Sequence, residues 1–152
     1  MVEKIKLNIK NKIAIITLYN PPLNALNQNL RKNILEKISY CQDKENVKII
    51  FIKGNGKNFS VGADINEFNR EFLSPSLSEV CNRIENSKKP VVAILQGYIL
   101  GGGLELALSA HLRISFRNSF FGFPEVKIGL LPGAGGTQRL PRLIGIKNSL
   151  EM

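Results

Sequence analysis

Hydrophobic and polar residues alternate at the N-terminus in a way that predicts two β-strands. In "KIKLNI", residues 4–9, apolar side chains occupy every second position, which is the pattern of a half-buried strand. The following run "KIAIITL", residues 12–18, is apolar at most positions. Asn11 stands between the two runs and is a turn former, so we expect the two strands to be joined there.

The hydrophobic period then changes from two residues to that of a helix. Leu30, Ile34 and Ile38 recur at helical spacing and predict an amphipathic helix over residues 27–40. Two continuous apolar runs, "VKIIFIKG" (47–54) and "VVAILQG" (91–97), are typical of strands covered on both faces. Short helices are predicted over residues 65–72 and 77–87. This order predicts an α/β domain with at least some parallel pairing.

A glycine-containing loop follows each of these two apolar strands. "SVGAD" (60–64) and "LGGG" (100–103) each lie between a strand and a predicted helix. Because the first N–H groups of a helix lack partners within it, the two loops could each donate one N–H to the same carbonyl oxygen. The alternative is that the glycines serve tight packing only, and the pattern alone leaves both interpretations open.

Two glutamates stand in apolar surroundings. Glu105 follows the glycine run in "LGGGLELAL", and Glu125 lies in "FGFPEVKIGLLPG". Burial raises a carboxyl pKa, and repulsion separates the pKa values of a nearby pair, so one acid can hold a proton while the other accepts one. Either residue could instead be a helix cap or a salt-bridge partner.

Composition limits the function classes. The chain has 152 residues, 43% of them hydrophobic, which fits one soluble, intracellular domain. Its net charge is +9, but the basic residues are scattered without interleaved aromatic residues, so we expect no nucleic-acid partner. The charge fits a solvated lysine surface or attraction of a nucleotide-bearing substrate. No apolar run reaches the length of a membrane span, and Cys41 and Cys81 fit buried thiols rather than a metal site.

Four motifs resemble the crotonase (enoyl-CoA hydratase/isomerase) superfamily in order and spacing. They are "NPPLNAL", "GKNFSVGADINEF", "QGYILGGGLELALSAHLRIS" and "FGFPEVKIGLLPGAGGTQRLPRLIG". Their amino-acid sequences are especially similar to the N-terminal hydratase region of bifunctional fatty-acid β-oxidation enzymes. The resemblance implies a spiral of repeating β-β-α units. It also implies a coenzyme A thioester as substrate, with no separate cofactor.

The resemblance also implies roles for individual residues. The N–H groups of Val61 and Gly102 would form an oxyanion hole. Glu125 would exchange the α-proton, Glu105 would position water, and Gly133 would add a backbone hydrogen bond to that water. The remaining expected substrate-binding residues are Ala25, Leu26, Lys57, Gly62, Ala63, Asp64 and Gly101. For Lys57, contact with a phosphate competes with simple solvation, and His111 is expected to be structural.

Three functions follow from the resemblance. The first is hydration of a trans-2-enoyl-CoA by syn addition of water, in fatty-acid β-oxidation. The alternatives are Δ3,Δ2-enoyl-CoA isomerisation and acyl-CoA or partner binding without turnover.

The resemblance also predicts how the chain is organised. Residues 1–152 are expected to be the N-terminal part of a longer domain, incomplete at its C-terminus, which leaves Leu140, Leu143 and Ile144 uncovered. A trimer-based homo-oligomer or a bifunctional chain is expected. The expected compartment is the cytoplasm of a bacterium, or the peroxisome or mitochondrial matrix of a eukaryote.

Overall fold

A mixed five-stranded sheet organises the chain in a computed structural model, which describes residues 5–67 and 74–152. Its strands, in spatial order, are β1 (Ile5–Lys10), β2 (Ile13–Leu18), β3 (Ile49–Gly54), β4 (Val91–Leu95) and β6 (Leu112–Ser115). β1 pairs antiparallel with β2, and the other neighbours pair in parallel. The predicted turn lies at Asn11 and Lys12, which have φ angles of 51° and 66°. The α/β class with parallel pairing is therefore confirmed.

A second, two-stranded sheet brings the two glycine loops together. It pairs β5 (Tyr98–Leu100) in parallel with β7 (Phe120–Gly122). Ser60, in the first loop, bridges to Ile99 of β5, and the Leu100 N–H donates to the Ser60 carbonyl at 3.1 Å. The backbone of the first loop is thus hydrogen-bonded to the strand that leads into the second.

Five α-helices accompany the sheets in the described part of the chain. They are α1 (Gln28–Asp43), α2 (Leu77–Glu85), α3 (Gly102–Ser109), α4 (Gly136–Ile144) and α5 (Ile146–Leu150). Asn27 caps α1 by accepting the Leu30 N–H at 3.0 Å, so that helix begins where predicted and extends to Asp43. The predicted helix over 65–72 is a 3₁₀ helix at Ile65–Glu67, and its remainder, residues 68–72, lies outside the described residues. No described helix is both long and apolar enough to cross a membrane.

The core lies between the sheet and helices α1 to α3. Ile16, Ile52 and Ile34 belong to it, and both cysteines are buried free thiols in α1 and α2, as predicted. β4 is almost wholly buried. β3 differs from the prediction, because its residues alternate between buried and partly exposed: the described residues cover one of its faces fully and the other only in part.

The structure tests the predictions for two single side chains, His111 and Leu140. The Nδ1 of His111 accepts the Val91 N–H at 3.0 Å, which confirms a structural role for this histidine. Leu140 is only 5% exposed, so the expectation that it is uncovered was wrong. It faces the core because α4 packs against α3. Leu143 and Ile144, on the same helix, are 51% and 37% exposed, as expected.

Candidate active site

One cavity of about 540 Å³ joins both glycine loops and both glutamates. The predicted site residues that line it are Val61, Gly62, Ala63, Gly101, Gly102, Glu105, Glu125 and Gly133. Most of the other lining side chains are apolar, and they include Ile65, Leu77, Ile128, Leu130 and Leu131. The cavity is therefore a largely apolar space with two carboxyl groups and loop backbone at its wall, which is the usual character of a small-molecule site.

The three consecutive glycines are required for three different reasons. Gly101 has a φ of 50°, and a Cβ there would lie 2.8 Å from Oε1 of Glu125. A Cβ on Gly102 would lie 2.6 Å from Cδ2 of Leu77. A Cβ on Gly103 would lie 2.4 Å from the backbone oxygen of Ser60. The run thus combines an unusual backbone angle, a place at the cavity wall and close contact with the first loop, so packing and site formation are not alternatives here.

The backbone nitrogen of the first loop that lies close to Gly102 belongs to Ala63 and not to Val61. The Val61 N–H donates to the Leu23 carbonyl at 3.2 Å, so its predicted place in the oxyanion hole was wrong. A Cβ on Gly102 would lie 3.5 Å from the Ala63 nitrogen. Within residues 5–67 and 74–152, neither the Ala63 nor the Gly102 N–H has an acceptor. Gly102 is the first residue of α3, which explains its unpaired donor.

Glu105 is buried and held by backbone donors. It is 2% exposed, and its Oε1 accepts the N–H groups of Ala134 at 2.7 Å and Gly136 at 2.8 Å. Burial raises the pKa of this carboxyl, while the two donors and the charge of Arg139 oppose that rise. Neither donor is among the predicted site residues, although the glycine-rich "PGAGG" is a signal for a tight turn. Gly133, the predicted backbone donor, precedes this turn and lines the cavity.

Glu125 is placed differently. It lies in a 3₁₀ helix, Pro124–Ile128, and within the described residues its buried Oε2 has no hydrogen-bond partner. Burial raises the pKa of Glu125 most, and the charge of Glu105 raises it further. An unpartnered buried carboxyl oxygen favours the protonated form. The two carboxyl groups of the cavity thus have surroundings that separate their protonation behaviour.

Four predicted substrate contacts lie outside the cavity lining. Leu26 is fully buried, its N–H donates to Gly62 at 2.8 Å, and its carbonyl accepts from Arg31 at 2.7 Å. It therefore supports the first loop, and the prediction that it contacts substrate was wrong. Asp64 accepts the Asn66 N–H at 3.0 Å in a local turn. For Ala25, Asp64 and the exposed Lys57, contact with substrate stays a prediction.

The described residues include no group of three or more His, Cys, Asp or Glu side chains arranged to hold a metal ion.

The amino-acid sequence of the chain is similar to those of known proteins. The sequence model of the family described as "Enoyl-CoA hydratase/isomerase" matches residues 8–152. The chain is 38% identical over 158 residues to a probable enoyl-CoA hydratase of Bacillus subtilis, covering 99% of this chain and 61% of that protein. It is 46% identical over 144 residues to the peroxisomal bifunctional enzyme of Danio rerio, covering 95% of this chain and 20% of that protein.

Solved structures are similar over nearly the whole chain. The Pseudomonas aeruginosa protein DspI superimposes with a TM-score of 0.92 at 30% identity, covering 99% of this chain and 65% of that one. An enoyl-CoA hydratase subunit from Geobacillus kaustophilus superimposes with a TM-score of 0.89 at 38% identity, covering 97% and 60%. The chain thus spans less than two thirds of the length of each of these proteins.

Proposed function

The chain belongs to the enoyl-CoA hydratase/isomerase family, and we propose that it carries the site at which water is added to the double bond of a trans-2-enoyl-CoA. The resemblance of its four motifs is thereby confirmed, as is the crotonase-like fold. One observation carries the proposal: two carboxyl groups meet, at a single apolar cavity, two backbone N–H groups that have no acceptor among the described residues.

The two N–H groups polarise the substrate in this proposal. The thioester oxygen accepts hydrogen bonds from Ala63 and Gly102, which draws electron density from the double bond and makes the β-carbon electrophilic. Negative charge grows on that oxygen as the enolate forms. Both donors are fixed by the fold before substrate arrives, because Ser60 ties the first loop to the strand preceding α3.

The two glutamates divide the proton transfers. Glu105 acts as the carboxylate: it accepts a proton from water as the water oxygen bonds to the β-carbon. Glu125 is the acid and delivers its proton to the α-carbon, so that one water is added overall. The surroundings support this division. Two N–H donors stabilise the ionised form of Glu105, whereas the buried Oε2 of Glu125 has no hydrogen-bond partner among the described residues. Exchange of protons with solvent then restores both groups.

Coenzyme A enters this scheme as part of the substrate, so the proposed reaction uses no separate cofactor. The acyl chain is proposed to lie along the apolar wall formed by Leu77, Leu130 and Leu131. Lys57 stays a proposed phosphate contact. It also remains a proposal that this chain forms a homo-oligomer or is attached to a second catalytic domain. The curated name of the Danio rerio relative supports a peroxisomal location, with cytoplasm or mitochondrial matrix as the alternatives.

Isomerisation of a 3-enoyl-CoA is the second candidate, because Glu125 alone could move a proton between two carbons. An absorbance assay separates the reactions: hydration removes the conjugated thioester chromophore of a 2-enoyl-CoA, and isomerisation of a 3-enoyl-CoA creates it. We expect the purified chain to hydrate, and Glu105→Gln to lower the rate of hydration by about 10² to 10⁴. A chain that isomerises but does not hydrate would contradict the proposal. Calorimetric binding of an enoyl-CoA without either reaction would support the non-catalytic alternative.

A further inference from the structure

We propose that Arg139, held by Glu85, is a positioning residue that fixes Glu105 through the turn formed by residues 134–136. This inference rests on the proposed function, because it assigns Arg139 a role in setting the state of the proposed base. Arg139 belongs to neither glycine loop and is not one of the residues that line the cavity. It acts through backbone groups, one step away from the carboxylate.

The Arg139 guanidinium links α2 to the turn. Its Nε and Nη2 donate to the two carboxylate oxygens of Glu85 at 3.1 and 2.8 Å, and Nη2 also reaches Oδ1 of Asn82 at 3.3 Å. Its Nη1 donates to the carbonyl of Ala134 at 2.7 Å. The Arg139 side chain is 12% exposed. A bidentate pair of this kind fixes the plane of the guanidinium as well as its position.

Ala134 transmits this constraint to Glu105. Its carbonyl accepts from Arg139, and its own N–H donates to Oε1 of Glu105 at 2.7 Å. The turn lies directly on the guanidinium, since a Cβ on Gly135 would be 2.2 Å from Nη1 of Arg139, and Gly135 has a φ of 97°. Gly136 follows and supplies the second N–H to Glu105. A displacement of Arg139 therefore moves both donors of the proposed base.

The charges around Glu105 agree with this role. Arg139 faces it from α4, Cys81 from α2, and Glu125 from the 3₁₀ helix Pro124–Ile128, while Glu85 on α2 acts on Arg139. Of these, Arg139 is the cation, and its charge lowers the pKa of Glu105 against the effect of burial. Loss of Arg139 removes that charge and loosens the two N–H donors. Both changes raise the pKa of Glu105.

Arg139→Met tests the proposal, with Arg142→Met as the matched control. Arg142 lies on the same helix, and its hydrogen bonds within the described part of the chain go to Gln138 and not to the turn. We expect Arg139→Met to lower kcat by about 10- to 100-fold through misplacement of Glu105, with KM nearly unchanged. The acidic limb of the kcat–pH profile should move to higher pH, because Glu105 must be ionised to act. Arg142→Met should change neither property.

Glu85→Gln and Arg139→Lys cover the case in which Arg139→Met fails to fold. Glu85 is half exposed, so its substitution leaves the core intact, and the limb should shift in the same direction by a smaller amount. The titration of Glu105, followed by carboxyl ¹³C NMR in the free protein, gives a readout that needs no turnover. If the wild-type chain converts no enoyl-CoA, the proposed function fails while this titration still decides the role of Arg139. An unchanged Glu105 titration in folded Arg139→Lys and Glu85→Gln would overturn the inference.

Discussion

Glu105 and Glu125 line the same cavity, but they come from regions that differ sharply in burial. All eight residues of α3, which carries Glu105, are buried. In the 3₁₀ helix Pro124–Ile128, which carries Glu125, none is buried. Val126 and Leu131, close to Glu125 in sequence, are 75% and 80% exposed.

The two carboxyl groups are held in position by different parts of the structure. Glu105 is placed by the packed core and by two backbone donors, so its geometry is a property of the fold. Glu125 is placed by a segment whose apolar side chains are largely uncovered by the described residues. We infer that the base and the acid of the proposed reaction respond differently to changes in their surroundings, and the following predictions test that contrast.

The largest expected effect comes from removing either acid. Glu105→Gln and Glu125→Gln should each lower kcat for hydration by about 10² to 10⁴ with enoyl-CoA binding largely retained. A glutamine at position 105 keeps an oxygen that can accept the two N–H groups, so the fold should persist. Steady-state kinetics and thermal unfolding check both points, with exposed Glu36→Gln as control. Near wild-type hydration in either variant would remove that glutamate from the mechanism.

The second prediction is that two neighbouring glycines of α3, Gly102 and Gly103, have different roles. In Gly103→Ala the new Cβ meets the fixed backbone oxygen of Ser60, and we expect a loss of about 1–3 kcal/mol in the free energy of unfolding. In Gly102→Ala it meets the end of the flexible Leu77 side chain, which can move. That variant should stay stable but lose about 10²- to 10³-fold in kcat through crowding of the thioester oxygen.

Urea unfolding and kinetics on both glycine variants give the comparison. Equal stability losses in the two variants would show that the whole glycine run serves packing, and would contradict the assignment of Gly102 to the oxyanion hole.

The third prediction concerns a second exposed apolar area, at the edge of the five-stranded sheet. Ile114 and Phe116 are 56% and 61% exposed, at and just beyond the edge strand β6. Exposed apolar clusters promote association, so we expect the 152-residue chain to self-associate. Ile114→Lys with Phe116→Lys should shift it towards monomer, whereas Tyr40→Lys on α1, also exposed, should not. Size-exclusion chromatography with light scattering measures this, and a monodisperse wild-type chain would contradict the prediction.

Periodicity and motif order were sufficient to predict most of the secondary structure and the two loops. The helix capped by Asn27 and the strands on either side of Asn11 depend on local patterns, which a single sequence displays. The two glutamates were identifiable because a carboxyl group in an apolar run is conspicuous. These features depend on neighbours in the sequence.

The errors arose where distant segments decide the outcome. The resemblance assigns Val61 to the oxyanion hole, and nothing near Val61 in the sequence indicates that the Leu23 carbonyl accepts its N–H. The resemblance predicts a substrate contact for Leu26, which the core buries completely. The donors Ala134 and Gly136 lie about thirty residues from Glu105 and were missed for the same reason. The sequence does not show which of two nearby backbone N–H groups, such as those of Val61 and Ala63, is hydrogen-bonded to a distant carbonyl.

The smallest expected effect is on the pH dependence of stability, and it has opposite signs for Glu125 and Glu85. Burial raises the pKa of Glu125, so its contribution to stability is present below its unfolded pKa and is lost as pH rises through the folded value. Arg139 lowers the pKa of Glu85, so that contribution is present above the unfolded pKa and is lost as pH falls through the folded value. Glu125→Gln should therefore flatten the decline in unfolding free energy on the alkaline side of the carboxyl range. Glu85→Gln should remove roughly a few tenths of a kcal/mol near neutral pH, because Glu85 is half exposed and screened by solvent. Urea unfolding between about pH 4 and 7 measures both slopes, and slopes of the same sign would show that the two carboxyl groups do not differ as their surroundings require.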